Sequence, residues 1–249
     1  MDIKTITSTK NDLIKNLIKL KSQPTKEMYF VEGKNIVKET LAKNIVIKVF
    51  CVEEEITVTK QYNVETIIIS KAVADKLSEV KTNQGIFAIC KINQSEIDFN
   101  SNVLILDNIQ DPGNMGTLLR SAAAFGFKTV IASETSTSFF NQKTIRSAQG
   151  NHLSLNLIKA NLEEIIEILR RANYKIIGTF INQKNDVNII NNNKLALILG
   201  NEGNGIDLKF KAMIDYNILI EMNNNVESLN VGVAGSIIMH DFFNQKNRS

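Results

Sequence analysis

The side chains most suggestive of chemistry in this 249-residue chain lie in three loops, each following a predicted buried strand. In the first loop, which begins at residue 107, Asn114 precedes Arg120 by six residues, about one and two-thirds turns of an α-helix. Asn114 alone is explained as a helix cap. Arg120 lies in the apolar stretch 118–125, where a guanidinium needs an anionic partner, and a phosphate group is the natural one.

The second loop is rich in glycine and follows the predicted strand 195–199. Gly200, Gly203 and Gly205 would let the backbone approach a ligand closely, and Glu202 lies among them. The spacing matches neither the GxGxxG fingerprint of dinucleotide-binding folds nor the Gly-Lys-Ser/Thr ending of a P-loop. A tight turn without a ligand is the alternative interpretation.

The third loop, residues 220–230, is polar and precedes a long apolar helix. Ser228 or Asn230 could cap that helix, and the surplus of polar groups also suits a binding loop. No Ser/His/Asp or Cys/His set accompanies these residues, so acyl transfer has no support. His152 and His240 have no partner at metal-ligand spacing, and we expect no metal.

The elements that must position these loops alternate between strand and helix beyond residue 100. Their strands are continuously apolar, which predicts an α/β fold with a parallel sheet covered on both faces. Ligands of such sheets bind outside the carboxyl ends of the strands, where all three loops lie. The predicted strands are 103–106, 129–132, 175–180, 195–199 and 217–220, and the predicted helices are 115–125, 142–148, 162–172 and 230–243.

A weaker alternation before residue 95 predicts a small α/β domain, so the predicted domains are residues 1–95 and 100–249. The first 95 residues carry fifteen lysines against eleven acidic residues, a net charge of +4, and the rest carries fourteen basic against fifteen acidic residues, a net −1. A basic leading segment fits an RNA-binding arm, although a solvated helix face is the simpler interpretation. Its lysines are Lys4, Lys10, Lys15, Lys19, Lys21 and Lys26.

Composition favours a cytoplasmic protein. Cys51 and Cys90 lie in apolar runs and form no CxxC pair, which predicts buried thiols in a reducing compartment. No apolar run reaches the roughly 18 residues of a membrane span. Residues 1–20 are polar and lack the apolar centre of a signal peptide.

Taken together, the three loops resemble the motifs of the SpoU/TrmH (SPOUT) family of RNA 2′-O-ribose methyltransferases. The resemblance covers residues 103–243. More loosely, residues 30–33 and 82–86 are similar to the substrate-binding domain of longer family members. The matching motifs, in the family's order, are Asn114-x-Gly116-x-x-x-Arg120, residues 199–206 and residues 220–234.

The resemblance implies a C-terminal SPOUT-type parallel sheet with a deep trefoil knot, plus a small N-terminal α/β substrate-binding domain. It also implies a homodimer, with S-adenosylmethionine as methyl donor and RNA as acceptor. By motif match, the donor-binding residues are Gly200, Ile220 and Leu229. Those around the reacting ribose are Asn114, Arg120, Glu202, Ser228 and Asn230.

Four positions depart from the third motif. Glu221 replaces a proline, Asn224 and Asn225 replace glycines, and Gly232 stands where serine is common. Because asparagine adopts left-handed conformations more readily than most residues, we expect the loop shape to survive.

The implied activity is methyl transfer from S-adenosylmethionine to a ribose 2′-hydroxyl of RNA. The separate N-terminal domain favours ribosomal RNA as the substrate. Transfer RNA is the alternative substrate, and a non-catalytic RNA-binding protein that retains the fold is the alternative function. Since an arginine is nearly always protonated, Arg120 is better suited to grip a phosphate than to act as a base.

Overall fold

A computed structural model describes residues 4–80, 82–180, 194–223 and 225–248. The chain divides into two compact units, one of Met1–Asn93 with Phe140–Ile145 and the other of Gln94–Phe139 with Arg146–Ser249. The first boundary follows Asn93. Nothing in the sequence indicated that Phe140–Ile145 groups with the N-terminal unit.

In the described residues, the N-terminal unit contains a five-stranded mixed sheet of order β1-β4-β3-β5-β2. β1, β4 and β3 run parallel to one another, and β5 is antiparallel to β3 and β2. The strands are β1 Thr5–Ile6, β2 Met28–Glu32, β3 Val46–Cys51, β4 Glu65–Ile69 and β5 Ile86–Lys91, and the helices are α1 Asp12–Ser22, α2 Lys34–Ala42 and α3 Lys71–Leu77.

The two faces of this sheet carry different helices. α1 and α3 pack on the face that includes Phe30 and Phe87, whereas α2 packs on the face that includes Tyr29. This division follows from the alternation of side chains along a strand, since Tyr29 and Phe30 are neighbours on β2. Cys51 and Cys90 are buried free thiols, as predicted.

Most basic residues of the leading segment are exposed, but Lys21 is not. Its ammonium donates a hydrogen bond to the carbonyl oxygen of Leu77 at 2.8 Å, and its side chain is only 10% exposed. The expectation that Lys21 contributes to a free basic surface is therefore wrong.

The C-terminal unit contains a six-stranded sheet in the described residues, of order β11-β9-β10-β6-β7-β8. All its pairs are parallel, which confirms the predicted α/β class and parallel sheet. The strands are β6 Asn102–Leu106, β7 Phe127–Ala132, β8 Asn156–Lys159, β9 Tyr174–Gly178, β10 Lys194–Leu199 and β11 Tyr216–Asn217, and the helices are α4 Pro112–Ala124, α5 Gln142–Ala148, α6 Leu162–Arg171 and α7 Val231–Arg248.

Strand β6 lies between β10 and β7, so the chain leaves it toward one edge and later returns on its other side. This reversal brings the loops after β6 and β10 side by side, the usual position of a ligand site in an open parallel sheet. The sequence did not predict β1 or β8. It also made β11 too long, because Ile218–Ile220 form no strand.

Helix α7 lies close against α4 because small residues line its inner face. A side chain at Gly232 would meet Thr117, and Ser236 and Ser121 share a hydrogen bond of 2.7 Å. A Cβ atom at Gly235 would lie 2.5 Å from methyl groups of both Leu118 and Leu199. The seam between the helices therefore depends on glycine at its centre.

We expect Gly235→Ala to destabilise the C-terminal unit. Overpacking of a tight core costs about 1–3 kcal/mol, which exceeds the gain of about 1 kcal/mol that alanine brings to a helix interior. The measurement is the free energy of unfolding from urea denaturation. The matched control is Gly203→Ala, whose new methyl group would meet only an Asn201 oxygen at 3.5 Å. Equal stability of the two variants would contradict the packing argument.

Candidate functional site

A cavity of about 700 Å³ opens where the loops after β9, β10 and β11 meet the first turns of α7. Its apolar wall includes Leu199, Ile206 and Ile238, each nearly fully buried. The sequence-predicted residues that line it are Gly200, Glu202, Ile220, Ser228, Leu229 and Asn230.

The side-chain amide of Asn114 joins three segments that are far apart in sequence. Its Nδ2 donates to Oε1 of Glu202 at 3.0 Å, and its Oδ1 accepts from Nδ2 of Asn230 at 2.8 Å. Asn114 itself does not line the cavity, but it connects two residues that do. The structure thus brings Asn114 together with the predicted residues of the other two loops.

Helix capping positions the backbone of Asn114 and the side-chain amide of Asn230. Asp111 caps α4 by accepting a hydrogen bond from the backbone N–H of Asn114 at 2.9 Å, so Asn114 lies in the first turn and is not the cap. The sequence Asp111-Pro112 already carried that signal, since proline favours the first helical position. Asn230 caps α7 through Oδ1, which accepts from the N–H groups of Gly232 and Val233 at 2.9 and 3.3 Å.

Glu202 is held as a carboxylate. Burial raises its pKa, but hydrogen bonds from the Asn114 side chain and from backbone N–H groups, including those of Asp111 and Gln110, outweigh it, so the pKa lies below its usual value. The Asp111 and Gln110 N–H groups approach at 3.3 and 3.4 Å, near the N-terminus of α4, where a negative charge is favoured. The cavity therefore carries a fixed negative charge at neutral pH.

The loop after β10 closes on itself, which explains the glycine at its start. Asn201 and Gly205 exchange two backbone hydrogen bonds of 2.9 Å, and Gly205 has a φ of +70°. A Cβ atom at Gly200 would lie 2.0–2.2 Å from backbone atoms of Gly205 and Ile206. No side chain is compatible with this turn, because the obstruction is backbone.

Sequence reasoning missed Asn201, which ties this turn to the loop after β6. Its Nδ2 donates to the Asn108 carbonyl at 2.9 Å, and its Oδ1 accepts from the N–H groups of Gly203 and Asn204. An asparagine among glycines is a common turn signal, so its type alone gave no indication of this role.

A second brace supports the loop after β6 from the β7 side. The backbone N–H groups of Asn108 and Ile109 donate to the hydroxyls of Ser133 and Ser136 at 2.9 and 3.1 Å. Lys159 donates to the carbonyl oxygens of both serines, and burial lowers its pKa to about 8. Lys159 therefore stabilises the loop after β7, and the two serines of that loop hold the backbone of Asn108 and Ile109.

Arg120 is the one predicted site residue that neither lines the cavity nor forms a hydrogen bond to a described residue that lines it. It lies on the exposed face of α4, and it forms no hydrogen bond or ion pair within the described ranges. The inference that an apolar stretch encloses it is wrong, because helical periodicity turns Thr117 and Arg120 to the surface while Leu118 and Leu119 are buried.

The four residues that differ from the family's third motif lie in different environments. Glu221 is exposed, and Asn224 lies outside the described residues. Asn225 donates its backbone N–H to Oδ1 of Asn223 at 3.0 Å. At Gly232 a Cβ atom would lie 3.1–3.3 Å from Asn230 and Thr117, so glycine relieves a crowded contact.

The described residues contain neither a candidate metal site nor a helix that could span a membrane. Within them, no group of three or more His, Cys, Asp or Glu side chains is placed to hold a metal ion. No helix in the same ranges is long and apolar enough to cross a membrane.

Known proteins carry the same two segments. The sequence model of the SpoU rRNA Methylase family matches residues 101–240, and that of the MRM3-like substrate binding domain matches residues 11–88. The 23S rRNA (guanosine(2553)-2′-O)-methyltransferase RlmP of Bacillus subtilis is 32% identical over 244 residues, which cover 96% of this chain and 98% of that protein. The chain belongs to the SpoU rRNA methylase family.

Solved structures place this SpoU-family protein in the same fold. The AdoMet-bound rRNA methyltransferase from Sinorhizobium meliloti matches with a TM-score of 0.89 at 21% identity, covering 98% of each chain. The SpoU methyltransferase AviRb from Streptomyces viridochromogenes, in complex with AdoMet, matches with a TM-score of 0.86 at 19% identity, covering 95% of this chain and 98% of that one. Family membership confirms the predicted enzyme class, an S-adenosylmethionine-dependent RNA 2′-O-methyltransferase.

We expect Asn114→Ala to raise the pKa of the Glu202 carboxyl, because it removes the side-chain donor while the backbone donors remain. The measurement is a carbon-13 NMR titration of that carboxyl. Since the pKa is depressed in the folded protein, this interaction stabilises the fold above the usual glutamate pKa and is lost as the pH falls through the folded value.

The control for this titration is Thr117→Ala on the same helix. The Thr117 hydroxyl donates only to the carbonyl of Gly113, at 3.0 Å, and should leave Glu202 unaffected. An unchanged Glu202 pKa in Asn114→Ala would show that the amide does not hold the carboxylate.

Proposed function

We propose that this enzyme methylates a ribose 2′-hydroxyl of large-subunit ribosomal RNA, using S-adenosylmethionine. The observation that carries the site assignment is the Asn114 amide, which joins Glu202 and Asn230 at the mouth of the cavity. The similarity to the Bacillus subtilis enzyme over nearly the whole of both chains supports the large-subunit substrate, and its name gives guanosine 2553 as the first position to examine.

The cavity fits this donor by chemistry. Its apolar wall suits the adenine ring, and its rim carries the carboxylates of Glu202 and Glu227, which favour a cationic ligand. When bound, S-adenosylmethionine supplies a methyl group on a positively charged sulfur. Gly200, Ile220 and Leu229 form the donor-binding part of the lining in this proposal.

The remaining predicted residues position the acceptor. Ser228 and Asn230 are exposed at the cavity and can hydrogen-bond a ribose. The ionised carboxylate of Glu202 complements the positive charge of the donor. Asn114 holds the side chains of both Glu202 and Asn230 in position through its two hydrogen bonds. Orientation of two bound reactants supplies a large part of such a rate enhancement.

Arg120 is assigned the role of a phosphate clamp on the RNA. Its guanidinium is exposed and unpaired in the described part of the chain, and it lies on the helix that carries Asn114, about 9 Å further along the axis. A planar guanidinium forms paired hydrogen bonds with a phosphate, and it remains protonated at neutral pH.

Residues 1–95 are assigned to RNA binding and residues 100–249 to catalysis. Each phosphate contact releases counterions, so replacing three of the exposed lysines with glutamine should flatten the salt dependence of RNA affinity. An unchanged slope would mean that these lysines only solvate the surface. The exposed lysines of the leading segment without an ion pair in the described residues are Lys4, Lys10, Lys19 and Lys26.

The family resemblance implies a homodimer and a trefoil knot, and the exposed apolar side chains of helix α7 support the homodimer. This helix exposes Val233, Ile237 and Phe243, each 37–46% accessible, which a second copy of the chain would cover. A monomer in sedimentation at micromolar concentration would refute the dimer. An experimental structure in which the C-terminal segment does not pass through a loop of the chain would refute the knot.

Because the proposed substrate is ribosomal RNA, we also propose that the enzyme lies in the cytoplasm. Cell fractionation tests this location.

The function is tested with purified protein, labelled donor and three unmodified RNAs: large-subunit rRNA, small-subunit rRNA and transfer RNA. We expect label in the large-subunit rRNA, with a 2′-O-methyl group mapped by primer extension at the guanosine equivalent to 2553. Donor titration in the presence of a chelator should still saturate. Label only in transfer RNA would contradict the substrate, and absence of donor binding would contradict the reaction.

We expect Arg120→Ala to slow single-turnover methyl transfer by about 100-fold, a loss typical of removing one transition-state contact. Donor affinity should be retained, because Arg120 does not line the cavity. Arg120→Lys separates two possible roles of the guanidinium. If Arg120 contributes only its positive charge, the Lys variant should keep substantial activity. If Arg120 orients the RNA through its planar guanidinium, the Lys variant should be as inactive as Arg120→Ala.

The control for the Arg120 series is Arg171→Ala, an exposed arginine on α6 that pairs with Glu167. It should transfer methyl groups at the wild-type rate. Wild-type turnover by Arg120→Ala would remove Arg120 from the site, and loss of donor binding would make its role structural.

A further inference from the structure

Among the described residues, the cavity in the C-terminal unit is lined by one basic side chain, Lys211, that no sequence motif indicated. Of the described residues that line it, Lys211 alone is basic, whereas Glu202 and Glu227 are acidic. Its ammonium has no hydrogen bond or ion pair to any described residue. The neighbouring Lys209, by contrast, lies 3.2 Å from Glu163.

The turn that carries Lys211 is fixed to the core. Residues Leu208–Met213 form a 3₁₀ helix, capped by Asp207, whose Oδ1 accepts from the N–H of Lys209 at 3.0 Å. Phe210 anchors the turn in the hydrophobic core and is only 2% exposed. The backbone that presents Lys211 is therefore held in place without the lysine's own side chain.

This turn presents two side chains to the cavity. Residues three apart eclipse on a 3₁₀ helix, and Leu208 and Lys211 both line the cavity. Leu208 is 74% exposed, the most exposed large hydrophobic side chain in the described residues. An apolar side chain beside an unpaired ammonium suits a ligand with an aliphatic part that ends in an anion.

The donor named in the proposed function has that composition, and this inference rests on that function. Its methionine moiety carries one carboxylate and one ammonium on an aliphatic chain, beside the cationic sulfur. The two carboxylates of the cavity complement the cationic groups, which leaves the donor's carboxylate in need of a cation. Glu202 is held by N–H donors, and neither Glu202 nor Glu227 forms an ion pair with Lys211 in the described residues.

We propose that Lys211 binds the α-carboxylate of S-adenosylmethionine, with Leu208 covering the adjacent methylene groups. Lys211 is thus a donor-specificity residue that selects ligands carrying that carboxylate. It takes no part in the methyl transfer itself.

The test uses two ligands and a thermodynamic cycle. Decarboxylated S-adenosylmethionine lacks the α-carboxylate and keeps the ammonium, sulfonium and adenosine groups. Calorimetry on the full-length protein gives the affinity ratio of the two ligands. Wild type should prefer S-adenosylmethionine by on the order of tenfold, the effect of one charge-assisted hydrogen bond, and Lys211→Gln should bind both ligands equally.

Two further variants sharpen the cycle. Lys211→Arg keeps the positive charge and should restore the preference. Lys209→Gln, on the same turn but outside the cavity, should discriminate as wild type does. Circular dichroism of each variant checks that the fold is intact.

The inference is overturned if Lys211→Gln keeps the wild-type preference, or if it weakens both ligands equally. It is also overturned if Lys211→Gln reduces only RNA affinity, since the lysine then meets a phosphate of the substrate. Wild-type protein that binds both ligands equally well overturns the inference while leaving the proposed function intact. Failure to bind either ligand would remove the proposed function as well.

Discussion

The candidate site depends on the orientation of one side-chain amide, that of Asn114. Glu202 can only accept hydrogen bonds, so it must face the Nδ2 group, and this leaves Oδ1 of Asn114 for Asn230. Asn230 can donate there because its own oxygen already caps α7. Capping of α7 thus fixes the orientation of the Asn230 amide, which in turn fixes that of the Asn114 amide. The carboxylate of Glu202 accepts the last hydrogen bond of this chain.

The parallel sheet makes this arrangement possible. Carboxyl ends of parallel strands share one edge, and β10 lies directly beside β6. Asn114, in the helical turn that follows the loop after β6, and Glu202 are therefore neighbours although they are 88 positions apart in the sequence. The third loop arrives because α7 packs on α4 through glycine and serine. A larger residue at Gly235 would separate the helices and move Asn230 away from Asn114.

Sequence patterns predicted most strands, the helices and the three loops of the C-terminal unit, because each depends on local periodicity or on a run of turn residues. They did not predict what depends on distant neighbours. β8 is short and only half buried, so its pattern is weak, and Lys21 looks like any surface lysine until its contact with Leu77 is known. Arg120 was misjudged because apolar composition was weighed above helical phase. Lys211 has no local signal at all, since its significance comes from the cavity around it.

The most direct test of the central claim is a double-mutant cycle between Asn114 and Asn230. Single-turnover methyl transfer is measured for Asn114→Ala, Asn230→Ala and the double variant. If the two amides act as one unit, the double variant loses no more activity than the more damaging single variant, with a coupling energy of about 1 kcal/mol or more. If the losses multiply, each residue acts independently, and the account of a single connected amide pair is contradicted.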